Sequence, residues 1–222
     1  LPESLPVHKR QPIHMGHLLR GYWELGTSPR FILLALASGV PFNGMFLYVL
    51  SAPAFLGELL GLGPTEFFWF FVINIAGIMG GAWASGRLAG RIPPKRQIRH
   101  GFVIMLTMAL LNLGANLALA PHVSWALWPI GIFSFGWALM VPVVTLLVLD
   151  LYPQRRGMAS SLQAFVGATA NGLVAGVVAP LVMHSALALA AASLLLMLVG
   201  LVSWIYLHHR WPDIGRHTMH VG

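Results

Sequence analysis

Long apolar stretches alternate with short connections that contain Gly, Pro or charged residues along almost the whole chain. Six stretches reach the roughly 20 residues that a helix needs to cross about 30 Å of hydrocarbon. The pattern places them at 31–57, 66–90, 100–120, 124–149, 157–182 and 186–208. We therefore predict an all-α membrane protein with a bundle of six transmembrane helices over 31–209.

Composition favours a membrane protein over a water-soluble one. Hydrophobic residues make up 57% of the 222 positions and charged residues 9%, whereas a soluble domain has about 25% charged residues. The mean hydropathy is +0.77. Since the chain has no Cys, neither disulfides nor thiolate metal sites are expected, and we predict no metal site.

Positive charge gathers on every second connection. Lys and Arg lie before the first predicted span and after the second, fourth and sixth, whereas the intervening connections contain none. Cation-rich short loops stay in the cytoplasm. We therefore predict that both termini are cytoplasmic, with a linker over 1–30 and a tail over 210–222. The net charge of +7 then faces anionic lipid headgroups, and no nucleic-acid partner is expected.

The segment before the first span contains one stretch with helical character, MGHLLRGYWELG. Leu18, Tyr22 and Leu25 lie near one face of it, and Arg20 and Glu24 lie elsewhere. Two interpretations fit this pattern, a short helix lying on the inner membrane surface and a solvated linker.

The predicted spans are of three kinds, which recur in the same order. Spans one and four contain prolines that are expected to bend them, Pro41 and Pro53 in the first and Pro129 and Pro142 in the fourth. Spans two and five contain glycines four residues apart, and spans three and six are rich in Leu and Ala. This order predicts a 3+3 inverted repeat, as found in secondary transporters. The alternative is that Gly and Pro are simply common in membrane helices.

The connection after the second span, GRLAGRIPPKR, resembles the loop motif of the major facilitator superfamily. Gly90 stands where that motif usually has an acid, and Pro93 stands where it usually has a glycine. The residues that we assign to this cytoplasmic loop motif are Gly86, Arg87, Gly90, Arg91, Lys95 and Arg96.

Three further stretches resemble the drug-resistance transporters of the Bcr/CflA type, a branch of drug:proton antiporters. They are GMFLYVLSAPAFL, GLGPTEFFWFFVINIAGIMGG and RRGMASSLQAF. The resemblance covers almost the whole chain but only the second six of that family's twelve helices. It implies one half of a major facilitator fold in a bacterial inner membrane, paired with an N-terminal six-helix half. The glycines assigned to packing between the halves are Gly77, Gly81, Gly172 and Gly176.

The resemblance also implies a function, the export of small amphipathic drugs in exchange for protons. The proton gradient is then the energy source, and no cofactor is needed. No charged residue lies near the midpoint of any predicted span, so the coupling carboxylate is expected from the N-terminal half. A homodimeric half-transporter and a non-transporting membrane scaffold are the alternatives. An intramembrane serine protease does not fit, because neither a GxSG nor a membrane-depth His is present, and no enzymatic activity is expected.

Drug cavities are mostly apolar and aromatic, with a few polar groups that orient the cargo. Spans one, two, four and five contain side chains of this kind. The predicted cavity residues are Asn43, Phe46, Leu47, Tyr48, Ser51, Trp69, Phe70, Asn74, Trp137, Met140, Gln163, Phe165 and Asn171. The alternative role of each Asn is a hydrogen bond between helices. The alternative for each aromatic residue is lipid contact or core packing.

Overall fold

A computed structural model describes residues 15–214, apart from the side chain of His17, and every regular element in that range is helical. The α-helices are α1 (Met15–Gly26), α2 (Pro29–Gly39), α3 (Phe42–Leu50), α4 (Phe68–Leu88), α5 (Pro94–Ala118), α6 (Val123–Leu151), α7 (Arg156–Leu173), α8 (Ala179–Val182) and α9 (Ala186–Arg210). A π-helical segment follows α3 and another follows α7, at Pro53–Leu59 and Val174–Val178, and a 3₁₀ turn, Pro64–Glu66, precedes α4.

Five helical stretches are long and apolar enough to cross a membrane. They are Pro64–Leu88, Pro94–Ala118, Val123–Leu151, Arg156–Val182 and Ala186–Arg210. The pair α2 and α3 makes a sixth span if the two are counted as one. The prediction of an all-α, multi-pass membrane protein is confirmed. The third span begins at Pro94, earlier than predicted, because Pro fits the first position of a helix, where no N–H donor is needed.

The first span bends by 44° between α2 and α3, at Pro41. Because Pro41 has no N–H group, the backbone ladder is interrupted there. Its ring packs on Gly200 of α9, where a Cβ atom would overlap the ring. By contrast, Pro129 and Pro142 lie inside α6, which continues as one helix from end to end. The two spans that the proline pattern groups together therefore differ in this respect.

Helix α6 lies at the centre of the bundle, and α4 packs closely along it. A Cβ atom on Gly77 would overlap the carbonyl oxygen of Gly131, and one on Gly81 would overlap that of Phe135. These glycines allow two helix backbones to approach closely, as their spacing predicts. The approach is made within this chain, however. Gly77 and Gly81 therefore face α6 and not a companion bundle, which corrects the assignment made from the sequence.

The contact between α5 and α6 is formed in the same way. A Cβ atom on Gly101 would lie 2.7 Å from the carbonyl oxygen of Gly136, and one on Gly136 would lie 2.9 Å from that of Gly101. The amide of Gln97 reinforces this packing, because its Nε2 donates to Ser85 Oγ of α4 at 2.7 Å and to the Leu139 carbonyl of α6 at 2.9 Å. Helices α4, α5 and α6 thus form a tightly connected group.

The cation-rich segments meet at one end of the bundle. Arg155, at the start of α7, donates to the carboxylate of Glu24 in α1 at 2.6 Å. Lys95, at the start of α5, donates to the backbone carbonyl of Pro212, which follows α9. Segments that are far apart in the sequence are therefore neighbours here. We call this side of the bundle the cation-rich end.

Helix α1 packs on α7 at the cation-rich end. The hydroxyl groups of Tyr22 and Ser161 are 2.9 Å apart, and the space beside Gly21 is filled by Met158. A stripe of apolar residues at four-residue spacing faces outward from α1, made up of Met15, Leu19 and Trp23. The segment is therefore helical, with an exposed apolar face of the kind found in helices at membrane interfaces.

Candidate functional site

Polar side chains of α2, α6 and α7 meet on a partly open face of the bundle. The indole Nε1–H of Trp137 donates to the backbone carbonyl of Ser38 at 2.9 Å. The amide Nε2 of Gln163 donates to Ser38 Oγ at 3.0 Å and to Thr145 Oγ1 at 3.3 Å. One amide and one indole thus link three helices at a depth where no charged residue lies among those described.

Two aromatic rings extend this face onto α3. The ring of Phe42 has its centroid 4.9 Å from that of Trp137 and 5.3 Å from that of Phe46. Except for Ser38, which is buried, the residues of this face are half-buried. We call them together the aromatic–amide face: Ser38, Phe42, Phe46, Trp137, Thr145 and Gln163.

The aromatic–amide face combines stacked rings with one amide and two hydroxyl groups. Rings of this kind contact flat apolar molecules, and the amide and hydroxyl groups donate or accept hydrogen bonds. Within residues 15–214, no group of three His, Asp or Glu side chains is placed to hold a metal ion. The face is therefore suited to bind a small molecule, with the rings making apolar contacts and the amide and hydroxyl groups orienting it.

The structure divides the predicted cavity residues according to burial. Three of them, Phe46, Trp137 and Gln163, lie on the aromatic–amide face. Trp69 and Phe165 are exposed on the outside of the bundle. Asn171 is half-buried on α7. The others are enclosed within the bundle: Asn43, Leu47, Tyr48, Ser51, Phe70, Asn74 and Met140.

Two of the enclosed residues join helices to each other. The hydroxyl of Tyr48 accepts from Asn112 Nδ2 at 2.7 Å, which ties α3 to α5. The hydroxyl of Ser134 donates to Asn74 Oδ1 at 2.8 Å, which ties α6 to α4. Asn74 thus has the interhelical hydrogen bond that was the alternative role for each Asn.

Three side-chain oxygen atoms that are themselves buried have no hydrogen-bond partner among the described residues. They are Oδ1 of Asn43, Oγ of Ser51 and Oδ1 of Asn171. A buried acceptor without a donor is unfavourable by about 1–3 kcal/mol. Asn43 and Asn171 belong to α3 and α7, two of the helices that carry the aromatic–amide face.

Sequence reasoning missed Ser38, Phe42 and Thr145. A signal was present, because Ser38, Phe42 and Phe46 follow each other at four-residue intervals, which places them on one face of the predicted first span. A single hydroxyl residue in a membrane helix is a weak indicator, since it usually bonds to its own backbone. Ser38 does this as well, with its Oγ 3.1 Å from the carbonyl oxygen of Leu34.

The loop motif turns the chain sharply between α4 and α5. Gly90 has φ +73°, a left-handed conformation that Gly adopts without a steric penalty. This conformation explains why Gly90 stands at a position where the superfamily's loop motif usually has an acid. Lys95 is half-buried, and the exposed members of the motif are Gly86, Arg87, Gly90, Arg91 and Arg96. The guanidinium of Arg87 lies 5.0 Å from the centroid of the Trp83 ring.

Helix α7 and the segment after it have an open side. A Cβ atom on Gly172 or Gly176 would meet no other atom within 4 Å. The glycine spacing resembles that of α4, but within the described residues no helix packs against this open side.

Five long apolar helices and a bent pair, with the charged residues at the ends of the spans, define a multi-pass integral membrane protein. Residues 2–176 match the family model of the Major Facilitator Superfamily. Because this match covers well over half of the chain, the protein belongs to that superfamily, whose members are transporters. The superfamily that the GRLAGRIPPKR loop indicated is thereby confirmed.

Two relatives are similar to the chain at low identity. An uncharacterized MFS-type transporter of Bacillus subtilis (strain 168), YdgK, is 26% identical over 182 residues, which are 82% of this chain and 44% of the relative. A bicyclomycin resistance protein homolog of Haemophilus influenzae is 23% identical over 193 residues, which are 84% of this chain and 46% of the relative. The chain thus spans less than half the length of either relative.

Proposed function

We propose that this chain is one six-helix half of a secondary active transporter that exports small amphipathic drugs in exchange for protons. The observation that carries the proposal is the aromatic–amide face, which offers rings and hydrogen-bonding groups on a partly open side of the bundle. The name of the Haemophilus influenzae relative, a bicyclomycin resistance protein homolog, supports a drug as cargo. The name of this relative also supports our assignment of the chain to the Bcr/CflA branch.

In this proposal the rings hold the cargo and the amide orients it. Phe42, Phe46 and Trp137 provide stacking surfaces for a flat or apolar part of the molecule. The Nε2 group of Gln163 is engaged by Ser38 and Thr145, which fixes the orientation of the amide. Its Oε1 atom makes none of the described hydrogen bonds and is the acceptor for a polar group of the cargo.

A companion six-helix bundle completes the cavity. The open side of α7, at Gly172 and Gly176, is the surface against which it packs, since small residues permit close approach. The companion also supplies the proton-coupling carboxylate. Among residues 15–214, no acid lies in the middle of a membrane span. Asp150, for example, is 3.2 Å from Arg156 at the junction of α6 and α7.

The cation-rich end faces the cytoplasm of a bacterial cell, because cation-rich short loops are retained on that side of the inner membrane. Both termini of the bundle then lie in the cytoplasm. A reporter fused after α9 tests this orientation, with activity expected from a cytoplasmic reporter and none from a periplasmic one.

The central experiment compares this chain expressed alone with the chain co-expressed with a matching six-span companion, in bacteria that lack their own exporters. We expect resistance to a drug such as bicyclomycin only from the pair, because the coupling carboxylate is absent from this bundle. Resistance from the chain alone would support a homodimeric half-transporter. Resistance from neither, with both proteins present in the membrane, would favour the non-transporting scaffold.

Matched variants test the aromatic–amide face within the active pair. Trp137→Leu removes a ring and an N–H donor from the face, and we expect a loss of resistance of about tenfold, equivalent to 1.4 kcal/mol of cargo binding. Trp128→Leu is the control, because Trp128 lies on the same helix and is 58% exposed outside the face. Equal losses in the two variants would contradict the proposed site.

A further inference from the structure

A cavity of about 790 Å³ lies between α5 and α9 at the cation-rich end. Neither helix contributes to the aromatic–amide face, so this cavity is a separate feature. Its inner part is apolar and is lined by Phe102, Val103 and Leu106 from α5 and by Leu201, Trp204 and Ile205 from α9. We call it the α5–α9 groove.

The mouth of the α5–α9 groove is lined by basic side chains, Lys95, Arg96 and Arg99 on α5 and His208 and His209 on α9. Lys95 is engaged by the backbone carbonyl of the segment after α9. Arg96 and Arg99 are exposed, and among residues 15–214 neither forms an ion pair with a carboxylate. The groove therefore has a cationic mouth in which these two guanidinium groups carry the available charge.

The length of the groove corresponds to one leaflet of a bilayer. Arg96 and Leu106 are 10 residues apart on α5, which is about 15 Å at a rise of 1.5 Å per residue. Half of the hydrocarbon thickness of a bilayer is also about 15 Å. The basic residues lie near the start of α5, at the level where lipid headgroups lie, and the apolar wall follows at the level of acyl chains.

We propose that the α5–α9 groove binds an anionic phospholipid from the leaflet at the cation-rich end. Arg96 and Arg99 hold the headgroup phosphate, since guanidinium groups match phosphate oxygens in pairs. An acyl chain lies along Val103, Leu106 and Ile205. Basic pockets between transmembrane helices recognise anionic headgroups in this way. A zwitterionic lipid carries an additional cation, which these arginines would repel.

Native mass spectrometry of the protein in detergent tests the proposal, with phosphatidylglycerol and phosphatidylcholine of the same acyl chains as probes. We expect phosphatidylglycerol to bind more tightly. The double change Arg96→Gln and Arg99→Gln is expected to weaken its binding about 25-fold, or about fivefold per arginine. Phosphatidylcholine is expected to lose much less affinity, because the lost phosphate contact is offset by the removal of repulsion on its choline group. The matched control is Arg87→Gln with Arg91→Gln, which removes the same charge outside the groove and is expected to change the affinity less than twofold.

A second variant tests the apolar wall without changing any charge. Val103→Trp places a large ring in the α5–α9 groove, and we expect it to abolish the binding of both lipids. Val202→Trp is its control, because Val202 is 61% exposed on α9 and does not line the groove. Circular dichroism and gel filtration of each variant confirm that it is folded.

Three results would overturn the proposal. The first is equal affinity for the two lipids, which would leave only a non-selective apolar contact. The second is full displacement of phosphatidylglycerol by millimolar inorganic phosphate, which would indicate a site for a free anion. The third is unchanged binding in the folded Val103→Trp variant, which would place the lipid elsewhere.

Discussion

Helices α6 and α7 belong to consecutive membrane spans but are packed very differently. The most apolar window of α6 is 56% buried, whereas that of the span formed by α7 and α8 is 11% buried. Both spans are apolar enough to cross a membrane, but that property alone does not cause close packing, because lipid tails solvate an apolar helix as well as another helix does. Close packing in a membrane comes from small residues and interhelical hydrogen bonds, and α6 has both on the sides facing α4 and α5.

The glycines show the same difference in more detail. The backbone of α6 occupies the space beside Gly77 and Gly81 of α4. The space beside Gly172 and Gly176, on the α7 side, is not occupied by any described helix. The two pairs have identical spacing in the sequence. Glycine spacing therefore indicates that a close partner is permitted, and the partner is identified only by the fold.

The largest effect is expected for Gly77→Ala compared with Gly172→Ala. The added Cβ on Gly77 would overlap the carbonyl oxygen of Gly131, and α4 would have to move away from α6. We expect a loss of at least about 2 kcal/mol in the free energy of unfolding, as for other overpacked sites. At Gly172 the added methyl meets open space, and the change is expected to be neutral or stabilising by up to about 1 kcal/mol. Unfolding in detergent titrated with SDS measures both.

Equal stability of the two alanine variants would show that the glycine contact between α4 and α6 is not close. If Gly172→Ala were destabilising only when a companion bundle is present, the open side of α7 would be an interface, as proposed.

A smaller difference is expected between Gln97→Leu and Gln163→Leu. Gln97 is 2% exposed, and its loss leaves Ser85 and the Leu139 carbonyl without this donor in the tight group. We expect a loss of about 1–2 kcal/mol, from two membrane hydrogen bonds of about 0.6 kcal/mol each and the poor solvation of their partners.

Gln163 also makes two hydrogen bonds, but they lie on a partly open face. If Gln163 is removed, its partners there have other hydrogen-bonding groups within reach more readily than the partners of Gln97 do. We expect Gln163→Leu to change the free energy of unfolding by less than about 0.6 kcal/mol and to reduce drug resistance in the active pair. The free energy of unfolding is measured on the purified variant, and drug resistance is measured in cells that express the same variant in the active pair. Equal destabilisation by the two changes would show that the aromatic–amide face is structural.

The smallest effect concerns the attachment of α1 to α7. The hydrogen bond from Arg155, together with the charges of Arg155 and Arg20, holds the pKa of Glu24 below its ordinary value of 4.5. A lowered pKa in the folded state means that the pair stabilises docking above pH 4.5, and that this contribution is lost as the pH falls below it through the folded-state pKa. We expect faster hydrogen–deuterium exchange in Met15–Gly26 at pH 3.5 than at pH 6, after correction for the intrinsic rates.

Glu24→Gln is the control for this pH effect. We expect it to exchange at pH 6 about as fast as the unmodified protein does at pH 3.5, with little further change on acidification. A pH dependence that persists in Glu24→Gln would assign the effect to another group.

Much of the candidate site was visible as a list of residue types, but not as an arrangement. Trp137 and Gln163 stood out because indole and amide groups are unusual in an apolar span. Tyr48 and Asn74 stood out for the same reason, yet they hold helices together inside the bundle. The difference depends on whether each side chain points toward the centre of the bundle or toward its open face. The local sequence pattern of a helix is the same in both cases.

The succession of apolar stretches was sufficient to predict a helical multi-pass protein, because backbone groups in hydrocarbon must satisfy each other within each helix. The cation pattern predicted which connections share a side. The central position of α6, the use of Gly77 and Gly81 within the chain, and the meeting of Ser38 with Trp137 and Gln163 all required the folded bundle. Those contacts join residues about 50 to 125 positions apart, and helix–helix packing, unlike helix formation, depends on shapes that distant segments contribute together.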